Sequence, residues 1–147
     1  MPAEPYALLG SWSLSRTIDD RWGDETSTVD GTSELAMLED GRIRWSERGV
    51  LHRATGDVPV QRVLFVERRD DGWFVTFDDG RDFHPWTPGS EVVHPCAPDT
   101  YRGRVDVLGD DRWTVRWDVA GPAKDYTMTS TLTRPGDGGA AQPNAKA

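Results

Sequence analysis

From Gly10 to Ile18 the chain alternates. Trp12, Leu14, Arg16 and Ile18 fall on one side, and Ser11, Ser13, Ser15 and Thr17 on the other. A period of two with one serine face predicts a half-buried strand. The same rhythm returns four times. Ile43, Trp45, Glu47 and Leu51 oppose Arg44, Ser46 and Arg48. Tyr101, Gly103, Val105 and Val107 oppose Arg102, Arg104 and Asp106. Trp113, Val115, Trp117 and Val119 oppose Thr114, Arg116 and Asp118. Lys124, Tyr126, Met128, Ser130, Leu132 and Arg134 share the last face, with threonines on most of the other.

The remaining segments are less regular. Residues 27–39 form an extended run with Gly31 at a bend or bulge. Residues 60–67 read as a mostly apolar strand. Residues 73–77 are apolar at both parities, so no inward face is assigned. Residues 81–86 are extended, and Pro85, Pro88, Pro95 and Pro98 limit residues 87–98 to a short strand at most. Asp-Gly pairs at 40–41, 71–72 and 79–80, Gly109-Asp110 and Gly121-Pro122 mark turns. Residues 6–9 form one helical turn or a plug at one end of the fold. No long helix is predicted.

Short, hairpin-like connections make sequence neighbours antiparallel neighbours in space. A meander of this kind must hide its edges, and closure into a barrel does so. The expectation is an all-β, antiparallel up-and-down barrel of about eight to ten strands, with either a filled core or one small-ligand cavity. A two-sheet sandwich is the alternative. The barrel takes residues 1–134 as a single domain. Residues 135–147, PGDGGAAQPNAKA, carry no large apolar side chain and are predicted to be a disordered tail.

Two features resemble the calycin group, the lipocalin and fatty-acid-binding-like barrels. These are Gly10-Ser11-Trp12 on the first strand and Arg134 at the end of the last. The resemblance implies that Trp12 packs beneath Arg134 and closes one end. Over nearly the whole domain the chain is similar to a family of uncharacterised calycin-like proteins of unknown function. The segments that carry this are Gly10-Ser11-Trp12 with Arg16, Asp79-Gly80-Arg81 with Phe83-His84, His94 with Cys96, Pro98-Asp99, Tyr101 and Gly103, and Gly121-Pro122 with Lys124-Asp125-Tyr126. The similarity implies a barrel and a shared site region, and no assigned activity.

Composition narrows the classes. A length of 147 residues suits one domain, and 36% hydrophobic with 29% charged residues describes a soluble chain with a lean core. Seven tryptophans let few side chains bury much area. The net charge of −8 argues against nucleic acid or an anionic membrane as partner. No apolar run approaches the about 18 residues of a membrane span, and no signal region is evident. One cysteine excludes an internal disulfide and a Cys-only zinc site, and suits a reducing, cytoplasmic location. The pattern does not speak to oligomeric state.

Parity then points to chemistry. If Trp12, Trp45, Trp117, Val105 and Met128 face inward, so do Arg16, Glu47, Tyr101, Lys124 and Tyr126. Ionisable groups on a core face are costly unless paired or solvated. Two readings stay open. One is a buried ion-pair network, with Glu47 and the tyrosine hydroxyls satisfying Arg16 and Lys124. The other is a polar-lined cavity that binds a small molecule. Two cations against one carboxylate favour a ligand with a carboxylate, phosphate or other anionic group.

Residues 79–103 concentrate the reactive types: Arg81, His84, His94, Cys96 and Tyr101. They are expected at the cavity rim, with His84, His94 and Tyr101 converging near Arg16 and Tyr126. The expected ligand-binding set is Arg16, Glu47, Arg81, His84, His94, Tyr101, Trp117, Lys124 and Tyr126. For catalysis the candidates are His84, His94, Cys96 and Tyr101. Cys96 with a histidine base, oriented by Asp99, would be a nucleophile, and His94 with Tyr101 an acid–base pair. An enzyme using His94 or His84 as general base is thus one alternative, and a protein-interaction domain with a filled core is another. Zinc accepts His84, His94 and Cys96, but no spacing is diagnostic and no C-x-x-C or H-E-x-x-H occurs. Haem would need a late-strand histidine, and none lies between Val105 and Arg134. No metal or cofactor is expected. The plain account of these residues is that the histidines bond loop carbonyls and Cys96 is a small buried apolar group.

Overall fold

The computed structural model describes residues 4–135. The expected tail from Gly136 onward lies outside the described residues. Ten strands follow one another: β1 (Gly10–Asp20), β2 (Glu25–Met37), β3 (Ile43–Arg53), β4 (Gly56–Arg69), β5 (Gly72–Phe77), β6 (Asp82–Pro85), β7 (Glu91–Cys96), β8 (Asp99–Gly109), β9 (Arg112–Gly121) and β10 (Lys124–Thr133). They form one antiparallel sheet in the order β6-β5-β4-β3-β2-β1-β10-β9-β8-β7. Each strand pairs with its neighbour in sequence, except that β1 pairs with β10 and β6 does not pair with β7. The result is a nearly closed ten-stranded barrel rather than a sandwich, with a seam between its two shortest flanks.

The alternating faces land as the periodicity predicts. Trp12, Leu14, Trp45, Val105, Trp113, Trp117 and Leu132 are all buried. In β5 the undecided face resolves with Trp73 and Val75 in the core. β4 begins at Gly56, earlier than the apolar run suggests, because Val58 and Val60 continue its inward face. Gly31 is not a bulge, since the β2 register runs through it unbroken. It faces Gly49 directly, and a Cβ on it would stand 2.7 Å from the Gly49 Cα and collide with the Arg48 carbonyl. Two strands approach there more closely than side chains allow.

One end of the barrel is shut. A single 3-10 turn, Pro5–Leu8, lies across it and buries Leu8. The Trp12 indole donates to the Leu8 carbonyl at 2.8 Å. Arg134 lies over the Trp12 ring, its Cζ 3.8 Å from the centroid, and donates to the Leu9 carbonyl at 2.9 Å. Gly10 makes room for it: its φ is +113°, and a Cβ there would be 2.9 Å from Arg134 Nη1. Trp45, Trp86 and Trp113 pack against one another behind Trp12 and fill this half.

Candidate functional site

Strand direction sets what lies at the other end. β1, β3, β7 and β9 run away from the closed end, so Arg16, Glu47, His94 and Trp117 fall past its tryptophans. β8 and β10 start at the open end with Tyr101 and Tyr126. Between them is a cavity of about 230 Å³. Phe77 from β5 and Phe83 from β6 stack at 4.5 Å, and Phe83 stacks on Trp117 from β9 at 4.8 Å. His94 on β7 meets Phe83 edge-on at 5.3 Å, closing the seam with rings where no ladder bonds exist. Val119 and Met128 complete the apolar wall, and Arg62 from β4 reaches it as a cation.

Of the residues expected in the ligand set, Arg81, His94, Tyr101, Trp117 and Tyr126 border this cavity, together with Cys96. Arg16 and Glu47 border a smaller adjoining space of about 60 Å³, and Arg62 lines both. His84 and Lys124 line neither.

The buried charges form one network. Glu47 accepts from Arg16 Nη2 at 2.8 Å, from Arg62 Nη2 at 3.2 Å and from the Ser33 hydroxyl at 3.3 Å. Arg16 Nε also donates to the Ser130 hydroxyl at 2.7 Å. Burial alone would raise the Glu47 carboxyl, but Arg62 and Arg16 outweigh it and hold the group below its ordinary range. Burial lowers Arg62, with Glu47 offsetting part of the effect, and the guanidinium stays charged. Arg62 is a third exposed overall, yet its Nε is out of solvent contact and has no hydrogen-bond partner among the described residues.

His84 is buried rather than at the mouth. A register shift between Val75 and Thr76 leaves one extra residue on β6, so Phe83 and His84 are both buried. Its Nδ1 pairs with the Pro85 carbonyl at 2.8 Å. Desolvation pushes the ring down to about 4, against the Pro85 bond, with Arg62 adding to the effect. Lys124, expected inward, is exposed because it begins β10 at the open rim. It meets Asp99 at 3.2 Å and the Tyr101 hydroxyl at 3.3 Å, and these partners raise its pKa. Tyr126 is also raised, first by burial and then by Tyr101. Cys96 is exposed, not buried, since it ends the edge strand β7. Among the described residues no group of three or more His, Cys, Asp or Glu side chains is placed to hold a metal.

Arg62 and the two phenylalanines are absent from the expected set. Val58, Val60, Arg62, Leu64 and Val66 do alternate, so a period-two reading of that run would have put Arg62 inside. Phe83 had no comparable signal, because the bulge breaks parity.

Residues 8–134 match a family of unknown function (DUF6314), and the chain belongs to that family. No curated protein matches its sequence. Among solved structures, the S-type phycobiliprotein lyase CPES from Guillardia theta is 12% identical with a TM-score of 0.68, covering 94% of this chain and 95% of that one. A redesigned β-barrel, mFAP0, bound to DFHBI, is 16% identical with a TM-score of 0.49, covering 87% and 99%. At such identities the likeness is one of fold. No helix among the described residues is long and apolar enough to cross a membrane.

Proposed function

We propose that this is a small-molecule-binding barrel of the calycin type, with its ligand in the open-end cavity and a polar or anionic group of that ligand facing Arg62. The supporting observation is Arg62, a cation that lines an aromatic-walled space of about 230 Å³ and whose buried Nε has no hydrogen-bond partner among the described residues. A ligand acceptor that reaches this guanidinium gains a charge-assisted hydrogen bond. In this reading Trp117, Tyr101, Tyr126 and His94 touch the ligand and Arg81 stands at the mouth. Glu47, itself bonded by Arg16, holds Arg62 in place, His84 backs the wall, and Lys124 fixes Tyr101. A single exposed cysteine and the charge of −8 fit a cytoplasmic protein that avoids nucleic acid.

A thermal-shift screen of anionic, neutral and cationic small molecules tests this, with tryptophan fluorescence, compared against a Trp117→Phe variant, as second readout. Some compounds should raise the melting temperature and perturb the indole. Met128→Trp, which fills the cavity, should keep the fold and lose the response. A protein that responds to no compound, or whose Met128→Trp variant responds equally, would not be a cavity binder.

A further inference from the structure

We infer that the ligand is a compact aromatic monocarboxylate of one or two rings, an assignment that rests on the binding reading above. Three features point to this class: the size of the space, the shape of its walls and the count of its charges.

An apolar cavity of about 150 Å³ accommodates benzene, whereas sites for drug-sized ligands run from about 300 Å³ upward. At about 230 Å³ this cavity matches a ring with a short side chain, or two fused rings. A long acyl chain has no path inward, because Trp12, Trp45, Trp86 and Trp113 occupy the closed half.

The walls are flat. Phe77, Phe83 and Trp117 lie nearly parallel, at 20° and 14° to their neighbours, while His94 and Tyr101 present edges to Phe83 and Trp117. Phe83 is held between Phe77 and Trp117, so the stack turns ring edges to the space, and edges favour the face of a planar aromatic guest over a branched or flexible one.

The charges leave one cation over. Arg16 and Arg62 face one carboxylate, Glu47. Arg81 is matched by Asp79 at 2.7 Å and Lys124 by Asp99 at 3.2 Å. His84, buried behind the wall, stays neutral at neutral pH, and the fixed charges are those of the two arginines and Glu47. A monoanion therefore balances the interior, whereas a dianion would leave one charge buried and unpaired. One Arg62 Nη2–H is engaged with Glu47, and the guanidinium, which lines the cavity, has further N–H donors for the carboxylate. Tyr126, raised by burial, keeps its proton and can donate as well.

The test is calorimetric titration of the full chain with benzoate, phenylacetate and indole-3-acetate, each beside its neutral amide, plus decanoate and phthalate. At least one ring monocarboxylate should bind about tenfold or more tightly than its amide, the size of a hydrogen bond to a charged group. Decanoate and phthalate should bind more weakly than that compound. R62M should bring carboxylate and amide affinities to within about a factor of two, with near-ultraviolet circular dichroism checking the fold. If R62M does not fold, R62K keeps the charge, lacks the Nε–H in its fixed plane, and should still narrow the ratio. Amides binding as well as acids, or decanoate or phthalate binding best, would overturn this assignment and leave the binding reading standing. Silence from these ligands and from the wider screen would overturn both.

Discussion

Gly103 lies directly beneath the Trp117 indole. The two are cross-strand partners on β8 and β9, and a Cβ on Gly103 would stand 2.5 Å from the ring atoms Cε3 and Cζ3. The glycine is there for close approach: it lets the indole lie down on the neighbouring strand and turn a face toward Phe83. Gly103→Ala should push the ring off the strand, into the cavity. Overpacking of this kind destabilises by about 1–3 kcal/mol. Urea unfolding should show that loss, and the tryptophan emission should shift. An alanine variant as stable as the parent, with unchanged emission, would mean that the ring relaxes freely.

How much of this arrangement the chain discloses depends on where parity holds. Trp12, Arg16, Glu47 and Tyr126 sit on long strands with unbroken ladders, and counting by two places each on its observed face. Arg134 over Trp12 follows from the motif at the two chain ends. Parity is lost at β6, where one extra residue buries His84 beside Phe83. It is also lost for Lys124, where a strand end in water frees a long side chain from its nominal face. Arg62 was hidden differently: Val63 and Phe65 make the outer face of β4 partly apolar and mask the alternation of Val60, Arg62, Leu64 and Val66. The cavity itself depends on ring stacking across the barrel, between Phe83 on β6 and Trp117 on β9, which no local pattern encodes.

Glu47 is the hinge of the buried network, with a side chain only 5% exposed between two guanidiniums. Glu47→Gln keeps the shape and leaves Arg16 and Arg62 facing each other without an anion. Removing one partner of a buried ion pair costs about 3–5 kcal/mol, and denaturant midpoints should report a loss of that order. Adding R62M to the variant should recover part of it, because the second uncompensated charge is then gone. The parent's dependence on pH has a definite sign. A carboxyl held below its ordinary range stabilises the fold above that range and loses the contribution as pH falls through its folded value. A Glu47→Gln variant that matches the parent at neutral pH would show that the network contributes nothing net.

His84 carries a second acid-sensitive contribution, in a separate window. Its pKa falls from 6.5 to about 4 because the ring is buried. Between those values the unfolded chain binds a proton that the native state refuses, so stability declines as pH drops from 6.5 toward 4. The full shift corresponds to about 3 kcal/mol. His52 works the other way: Asp57 and Asp30 raise it, so its contribution is present at acid pH and fades as pH rises. The parent curve alone therefore mixes opposed slopes, with the carboxylates adding theirs at the acid end. The difference between parent and His84→Gln isolates the buried ring, since His52 is common to both. Urea midpoints taken from about pH 7 down to about pH 4.5 should fall more steeply for the parent than for the glutamine variant. Parallel curves would mean that His84 is protonated in the native state at no greater cost than in water, and that the wall behind Phe83 and Trp117 admits solvent.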